Sequence, residues 1–225
     1  MTAYILWTII ASLLGLSISA VFAGKLHLQR SVFLVPYVFL VSIFLYCYIR
    51  WENLNVGELM MQNWIWGIVA ATVVAFLTIR NVVSQPMSPR SQGPKLLFEL
   101  FWFGLVYGAV DGIFLSVFPV VMTSQAFINL GDTTLGKIGV ALLALIASEL
   151  ITLAYHAGYP EFRNSSLISA AIGNGIITAA YLVSLNPISS IGSHVAMHIA
   201  AVWHGSERTV QLPPHYGNVE KKSVA

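Results

Sequence analysis

Two histidines, His194 and His198, lie four residues apart within the last long apolar segment of the chain. A spacing of four places both rings on one face of a helix, where they could share a metal ion, a proton or a partner. Ionisable side chains are costly at membrane depth, so these histidines are candidates for function. A second interpretation stays open, in which the two rings only form hydrogen bonds to neighbouring helices.

The composition indicates an integral membrane protein. Hydrophobic residues make up 57% of the 225 residues and charged residues only 9%, and the mean hydropathy is +0.77. A soluble domain carries about 25% charged residues. The formal net charge of +2 reflects the loops between apolar segments, so membrane lipids are the expected surroundings and no nucleic-acid partner is expected.

Apolar stretches of about 20 residues can cross the hydrocarbon core as helices. Helices are required because lipid offers the backbone no hydrogen-bond partners. The predicted fold is therefore an all-α, polytopic transmembrane helix bundle of about seven membrane helices. The predicted segments are 3-22, 32-50, 64-83, 96-121, 136-156, 166-185 and 187-204.

The positions of Lys and Arg predict the orientation, because positively charged loops stay in the cytoplasm. Arg50 and Lys137 fall on one side of the predicted membrane, and the other 9 of the 11 basic residues fall on the opposite side. We therefore expect a multi-pass protein of the cell membrane with its N-terminus outside and its C-terminus in the cytoplasm. The basic residues of the cytoplasmic side are Lys25, Arg30, Arg80, Arg90, Lys95, Arg163, Arg208, Lys221 and Lys222.

A polar stretch rich in Pro, Ser and basic residues divides the chain. This composition is typical of a flexible linker. We expect a three-helix membrane region at 1-83, a cytoplasmic linker at 84-95, a four-helix core at 96-205 and a cytoplasmic tail at 206-225. The N-terminal region holds mainly bulky apolar residues, which suggests packing and insertion, whereas the ionisable residues at membrane depth follow the linker.

Those ionisable residues are Glu99, Asp111, Glu149 and His156, besides the two histidines. Alternating helix directions bring Glu99, His156 and His198 to similar depths in the cytoplasmic half, with His194 one turn deeper, near Asp111. A carboxylate in mid-membrane must be protonated or paired, and His194 is the expected partner of Asp111.

Three glycines precede or follow Asp111 at four-residue spacing, Gly104, Gly108 and Gly112. Small residues at this spacing allow a neighbouring helix to approach closely. Helix packing alone would explain this pattern.

Three blocks of sequence resemble, in order, the motif blocks of the CPBP family of intramembrane proteases, which includes the CAAX prenyl endopeptidases and bacterial abortive-infection-like proteins. The blocks are ELFWFGLVYG, HAGYPEFR and NPISSIGSHVAMHIAAVWHG, and the resemblance covers roughly 94-205. The family's blocks are Glu-Glu-x-x-x-Arg, a block ending in His, and His-x-x-x-Asn. The matching positions for its second Glu and its two histidines are Glu99, His156 and His194.

The chain departs from the family pattern at three positions. Phe98 replaces the first Glu, which is thought to activate water in the family, and Phe103 replaces the Arg. His198 stands in the place of Asn and can still donate a hydrogen bond to an oxyanion. Since phenylalanine cannot accept a proton, Glu99 or Asp111 would have to act as the base.

The resemblance implies an intramembrane endopeptidase with a polar site facing the cytoplasm, and the departures predict reduced or lost proteolysis. Its predicted catalytic residues are Glu99, His156, His194 and His198, with Asp111 and Glu149 in substrate binding. Partners would be membrane lipids and a membrane-associated peptide. The alternative is a non-catalytic subunit or scaffold that binds partner transmembrane helices, a peptide or a lipid-linked ligand.

Other classes fit the sequence less well. The last helix lacks the lysine that a retinal protein needs, and HVAMH lacks the glutamate of a His-Glu-x-x-His zinc hydrolase. A haem held by His156 with His194 or His198 stays conceivable, whereas a transporter would show repeats or broken helices. The expectation is no cofactor and no metal.

Overall fold

The structure is a computed structural model and describes residues 2–207 and 209–213. Within these ranges the chain forms helices joined by short turns, with no strand, which confirms the all-α prediction. The longer helices agree with the predicted segments to within a few residues. In chain order the helices are α1 Thr2–Lys25, α2 Arg30–Glu52, α3 Val56–Met61, α4 Trp64–Val83, α5 Gly93–Ala126, α6 Thr134–Ala157, α7 Ser165–Ser184 and α8 Ile188–Gly205. The short α3 has no counterpart among the predicted segments.

Six helices in the described part of the chain, namely α1, α2, α4, α5, α6 and α7, are long and apolar enough to cross a membrane. Large hydrophobic side chains on their outer faces are exposed, as lipid contact requires. The protein is thus a multi-pass membrane protein. Helix α8 is not among the six, because serines and histidines interrupt its apolar sequence, and the count of seven spans stays a prediction.

The turn before α8 is fixed by hydrogen bonds of Asn186. Its Oδ1 accepts from the Ile188 N–H at 2.8 Å, and its Nδ2 donates to the Met60 carbonyl at 3.0 Å. Leu185, with φ of 53°, ends α7 in the left-handed conformation. These contacts secure the start of α8 against α3, where the sequence predicted only a turn.

Helix α5 is not a regular α-helix throughout. Two π-helical stretches, Leu100–Val106 and Gly112–Val117, flank the short α-helical piece Tyr107–Asp111. Each π turn contains about 4.4 rather than 3.6 residues, and such turns occur often at functional sites. Both π-helical stretches lie next to Asp111 or within the turns that precede it.

The linker between α4 and α5 is tied to the end of α8. The His204 Nε2 and the Gln85 carbonyl oxygen are 2.8 Å apart, and the Arg90 guanidinium lies 4.0 Å from the Trp203 ring centroid. Helix α4 packs along α8, and α1 packs along α6. The predicted N-terminal and C-terminal regions therefore interleave within one bundle.

The C-terminal ends of α1, α4, α6 and α8 lie at one end of the bundle. We call this end, at Lys25, Val83, Ala157 and Gly205, the basic face. Here Arg30 Nε donates to the Pro213 carbonyl at 2.6 Å. Residues 208 and 214-225, which include Arg208, Lys221 and Lys222 of the predicted tail, lie outside the described residues.

Candidate functional site

Asp111 of α5 and the histidines His194 and His198 of α8 form one buried cluster. One ligand-type atom from each residue lies within 4.8 Å of the others. His198 Nε2 is 3.5 Å from Asp111 Oδ2, which is long for a hydrogen bond but short enough for an ion pair. The two imidazole rings are nearly parallel, with centroids 5.9 Å apart. The structure thus brings together three of the residues that the sequence singled out, but the contact of Asp111 is with His198, where the sequence predicted His194 as its partner.

The histidine rings of this cluster have few partners. Apart from the 3.5 Å contact with Asp111, none of their four nitrogens has a hydrogen-bond partner among the described residues. Both residues are at most 3% exposed. A buried polar atom without a partner costs about 1–3 kcal/mol. Within the described residues these nitrogens therefore form no hydrogen bond to a neighbouring helix, and they can bind water, an ion or a substrate.

The glycine ladder explains how α8 comes so close to Asp111. A Cβ added at Gly104 would lie 3.2 Å from the Ile199 Cα, and one at Gly108 would lie 2.8 Å from the Val195 Cα. At Gly112 the corresponding distance, to the Ile191 Cα, is 3.0 Å. The predicted close approach of a neighbouring helix is confirmed, and that helix is the one that carries both histidines.

Asp111 is oriented by a tyrosine from the N-terminal region. Tyr37 of α2 donates its hydroxyl hydrogen to Asp111 Oδ1, and it is fully buried. The two carboxylate oxygens therefore have separate partners, since Oδ2 faces His198. The sequence pattern does not reveal this residue, because Tyr37 lies in an otherwise apolar segment and is 74 residues from Asp111.

Further tyrosines surround the cluster. The Tyr107 ring lies 4.7 Å from that of His198, centroid to centroid, and its hydroxyl is 3.1 Å from the Tyr155 hydroxyl. Tyr159 donates to the Tyr155 hydroxyl at 2.7 Å. The hydroxyls of these three tyrosines therefore form a hydrogen-bonded chain beside the cluster.

His156 lies near the cluster but belongs to a different helix, α6. Its Nδ1 is 2.9 Å from the Thr152 carbonyl oxygen, which can only accept, so Nδ1 carries a hydrogen. In the neutral ring Nε2 is then a proton acceptor. His156 lines the same cavity as Asp111, His194 and His198, as the sequence predicted from depth.

That cavity has a volume of about 390 Å³. Asp111 and Leu115 line its inner end, whereas Phe162, Ser166 and residues 210–213 line its end at the basic face. The ionisable groups at the inner end therefore share one cavity with residues at the basic face.

Glu99, the carboxylate that the family resemblance places in the catalytic motif, lies elsewhere. Its Oε1 accepts from the Ser91 hydroxyl at 2.9 Å and is 3.9 Å from Lys95 Nζ. Glu99 is not among the residues that line the cavity. Phe103, which stands in the place of the family's Arg, packs against Arg30. The guanidinium carbon of Arg30 lies 5.8 Å from the centroid of the Phe103 ring. The structure thus places Asp111, and not Glu99, beside the histidines.

Glu149 belongs to a separate polar network between α5, α6 and α7. Its Oε1 accepts from Asn174 Nδ2 at 3.4 Å, and Asn174 itself lines the cavity. Glu149 is not among the described residues that line the cavity. Its hydrogen bond with Asn174 connects it to a residue that does. The remaining members of the network are Ser116, Ser148 and Thr178.

Comparison of the chain with models of protein families, with curated proteins and with solved structures finds no match.

Proposed function

We propose that this membrane protein is an intramembrane hydrolase, resembling the CPBP proteases, in which Asp111 takes the part of the missing first glutamate. The observation that carries the proposal is the placement of a carboxylate beside two unpartnered histidines at the inner end of a cavity. A carboxylate and imidazoles are the groups that most often act as general acids and bases.

Water is the attacking nucleophile in this proposal. A serine nucleophile needs a hydrogen bond to its base, and no hydroxyl in the described part of the chain hydrogen-bonds to His194 or His198. Cys47, the one cysteine, is exposed on α2. In hydrolysis, the water oxygen bonds to the substrate carbonyl carbon and the water proton passes to a base. The carbon–nitrogen bond then breaks as that proton reaches the leaving amine.

The cavity residues have distinct roles in this reaction. Asp111 accepts the water proton, and His156, with Nε2 free to accept, assists from the opposite helix. His194 and His198 stabilise the oxyanion by donating hydrogen bonds. Tyr37 positions Asp111 through their hydrogen bond.

Substrate enters from the membrane in this proposal. Leu77 of α4 and Ile172 and Ile176 of α7 line the cavity and are also among the exposed hydrophobic residues of the outer surface. A side entrance between these helices suits an apolar or lipid-linked peptide. The basic face lies in the cytoplasm, in accordance with the distribution of Lys and Arg, and the protein belongs to the cell membrane.

Binding without hydrolysis is a second candidate function. The apolar side chains along the cavity favour it, since they would hold a peptide or a lipid chain even if no bond were cleaved. Both functions use the same cavity, and they differ in whether Asp111 is needed for turnover.

The test compares two carboxylate substitutions in the purified protein in lipid nanodiscs. Asp111→Asn keeps the shape of the side chain but removes the base, so cleavage of a library of lipidated peptides should fall by about 100-fold or more. Glu99→Gln is the matched control and should retain cleavage, because Glu99 lies outside the cavity. Products are identified by mass spectrometry.

The reverse result would contradict the assignment. If Glu99→Gln abolished cleavage and Asp111→Asn did not, the base would be the residue that the family motif indicates. If the wild-type protein retained peptides without cleaving any, the second candidate function would stand and hydrolysis would be excluded for that library.

A further inference from the structure

We propose that Asp111, His194 and His198 bind one divalent transition-metal ion, with Zn²⁺ as the reference ion. This goes beyond the proposed hydrolysis, in which the same three side chains act without an ion, because it concerns what the cluster binds. Two imidazoles and one carboxylate are a ligand set used for Zn²⁺ and Fe²⁺. The sequence suggested no metal because HVAMH lacks the glutamate of known zinc motifs, but here the carboxylate comes from another helix.

The geometry of the cluster suits a metal ion. The three ligand atoms already lie within 4.8 Å of one another. Bonds of about 2.0–2.2 Å in a tetrahedral site place ligand atoms about 3.3–3.6 Å apart. Small rotations of the histidine side chains would therefore close the site without movement of the helices.

The burial of the ligands gives independent support. His194 and His198 are almost fully buried, and their nitrogens have no hydrogen-bond partner in residues 2–207 and 209–213. Histidine binds a metal ion through a nitrogen of the neutral imidazole that has no other partner. A metal ion would satisfy one nitrogen of each ring and balance the carboxylate of Asp111.

The surroundings resemble those of a reactive metal site and not those of a structural one. Three protein ligands leave at least one position for water or substrate, as in catalytic zinc sites, and the cavity supplies access to that position. Tyr37 hydrogen-bonds to the Asp111 oxygen that does not face His198, as an outer-sphere partner does. Hard ions such as Mg²⁺ prefer oxygen ligands and are not expected to bind here.

Metal content and affinity test the proposal. The protein in nanodiscs is stripped with a chelator and titrated with Zn²⁺, and bound zinc is measured by mass spectrometry after desalting. We expect one zinc per chain, and less than a tenth of that in His194→Ala, His198→Ala and Asp111→Asn at the same free zinc. Replacement by Co²⁺ should produce visible absorption bands typical of nitrogen and oxygen ligands.

His204→Ala is the matched control, since His204 is also a buried histidine of α8 but contacts the Gln85 carbonyl away from the cluster. It should bind one zinc with unchanged affinity. Tyr37→Phe keeps all three ligands and should weaken binding by about 10–100-fold. This variant gives a readout even if a histidine substitution prevents folding.

Less than a tenth of a zinc per wild-type chain, or full binding after loss of either histidine, would overturn the metal site. The result of the zinc-binding test can be distinguished from the result of the peptide-cleavage test. Zinc binding without peptide cleavage would support the metal site and exclude hydrolysis of the peptides tested. Cleavage by a protein that binds less than a tenth of a zinc per chain would leave the hydrolase in place and overturn the metal site.

Discussion

At the scale of single residues, Asp111 is the most informative position in the molecule. Each of its two carboxylate oxygens has its own partner. Oδ1 accepts a hydrogen bond from Tyr37, and Oδ2 faces His198. A buried carboxylate is tolerated only when such partners compensate the loss of water. The same contacts that make the charge tolerable also fix its direction toward the histidines.

Substitution of Tyr37 by Phe should destabilise the protein and reduce turnover. It removes one hydrogen bond to a charged group, worth about 1.5–3 kcal/mol. For a chain of this size, the midpoint of thermal unfolding should fall by about 3–12 °C. Unfolding can be followed by tryptophan fluorescence in detergent.

Tyr46→Phe is the control for this prediction, because Tyr46 lies on the same helix and is 64% exposed. It should leave the unfolding midpoint unchanged. Equal effects of both substitutions would show that the Tyr37 hydroxyl does not stabilise Asp111.

At the scale of helices, the relation between α5 and α8 decides whether a site exists. Glycines on α5 let the backbone of α8 approach, and His194 and His198 directly precede Val195 and Ile199, which fill the space above two of those glycines. π-helical stretches lie on either side of the short α-helical piece that carries Asp111. Packing and chemistry are thus properties of the same pair of helices.

Gly108→Ala should separate these helices. The new Cβ would lie 2.8 Å from the Val195 Cα and 3.1 Å from the His194 carbonyl oxygen, both backbone atoms that cannot move alone. Overpacking of this kind costs about 1–3 kcal/mol. We expect a lower unfolding midpoint and weaker zinc binding or cleavage.

Gly139→Ala on α6 is the matched control, since a Cβ there meets nothing within 4 Å. It should be neutral or slightly stabilising, because alanine is the better helix former. A Gly108→Ala protein with unchanged stability and activity would contradict the role of the ladder.

At the scale of the whole molecule, the connections at the basic face close the bundle around the cavity. The linker after α4 contacts the end of α8, and Arg30 of α2 binds the segment after α8. Residues 210–213 of that segment line the cavity at this end. The side of the membrane on which the basic face lies therefore determines which compartment the site serves.

Cysteine labelling can establish that side. In a Cys47→Ser background, Asn129→Cys marks the end of the bundle opposite the basic face and Gln92→Cys marks the basic face, both at exposed positions. A membrane-impermeant maleimide added to intact cells should label Asn129→Cys at once. Gln92→Cys should be labelled only after lysis, because basic loops stay in the cytoplasm. The opposite pattern would invert the proposed orientation.

The amino-acid sequence by itself determined the helices. Uninterrupted apolar segments must form helices in lipid, so their existence and bounds followed from length and hydropathy, and α4 agrees residue for residue with the predicted 64-83. The glycine spacing likewise predicted a close helix contact, because glycines on one face let the backbone of a neighbouring helix approach in any bundle. The shared face of His194 and His198 followed from their spacing in one helix.

The tertiary structure decided which carboxylate joins the histidines and which residue orients it. Glu99 and Asp111 lie on the same helix, but Glu99 contacts Ser91 and Lys95 whereas Asp111 lies beside the histidines of α8. Tyr37 reaches Asp111 only because α2 packs against α5, a contact between segments far apart in the chain. Periodicity describes one helix at a time, whereas the site is made of residues from α2, α5, α6 and α8.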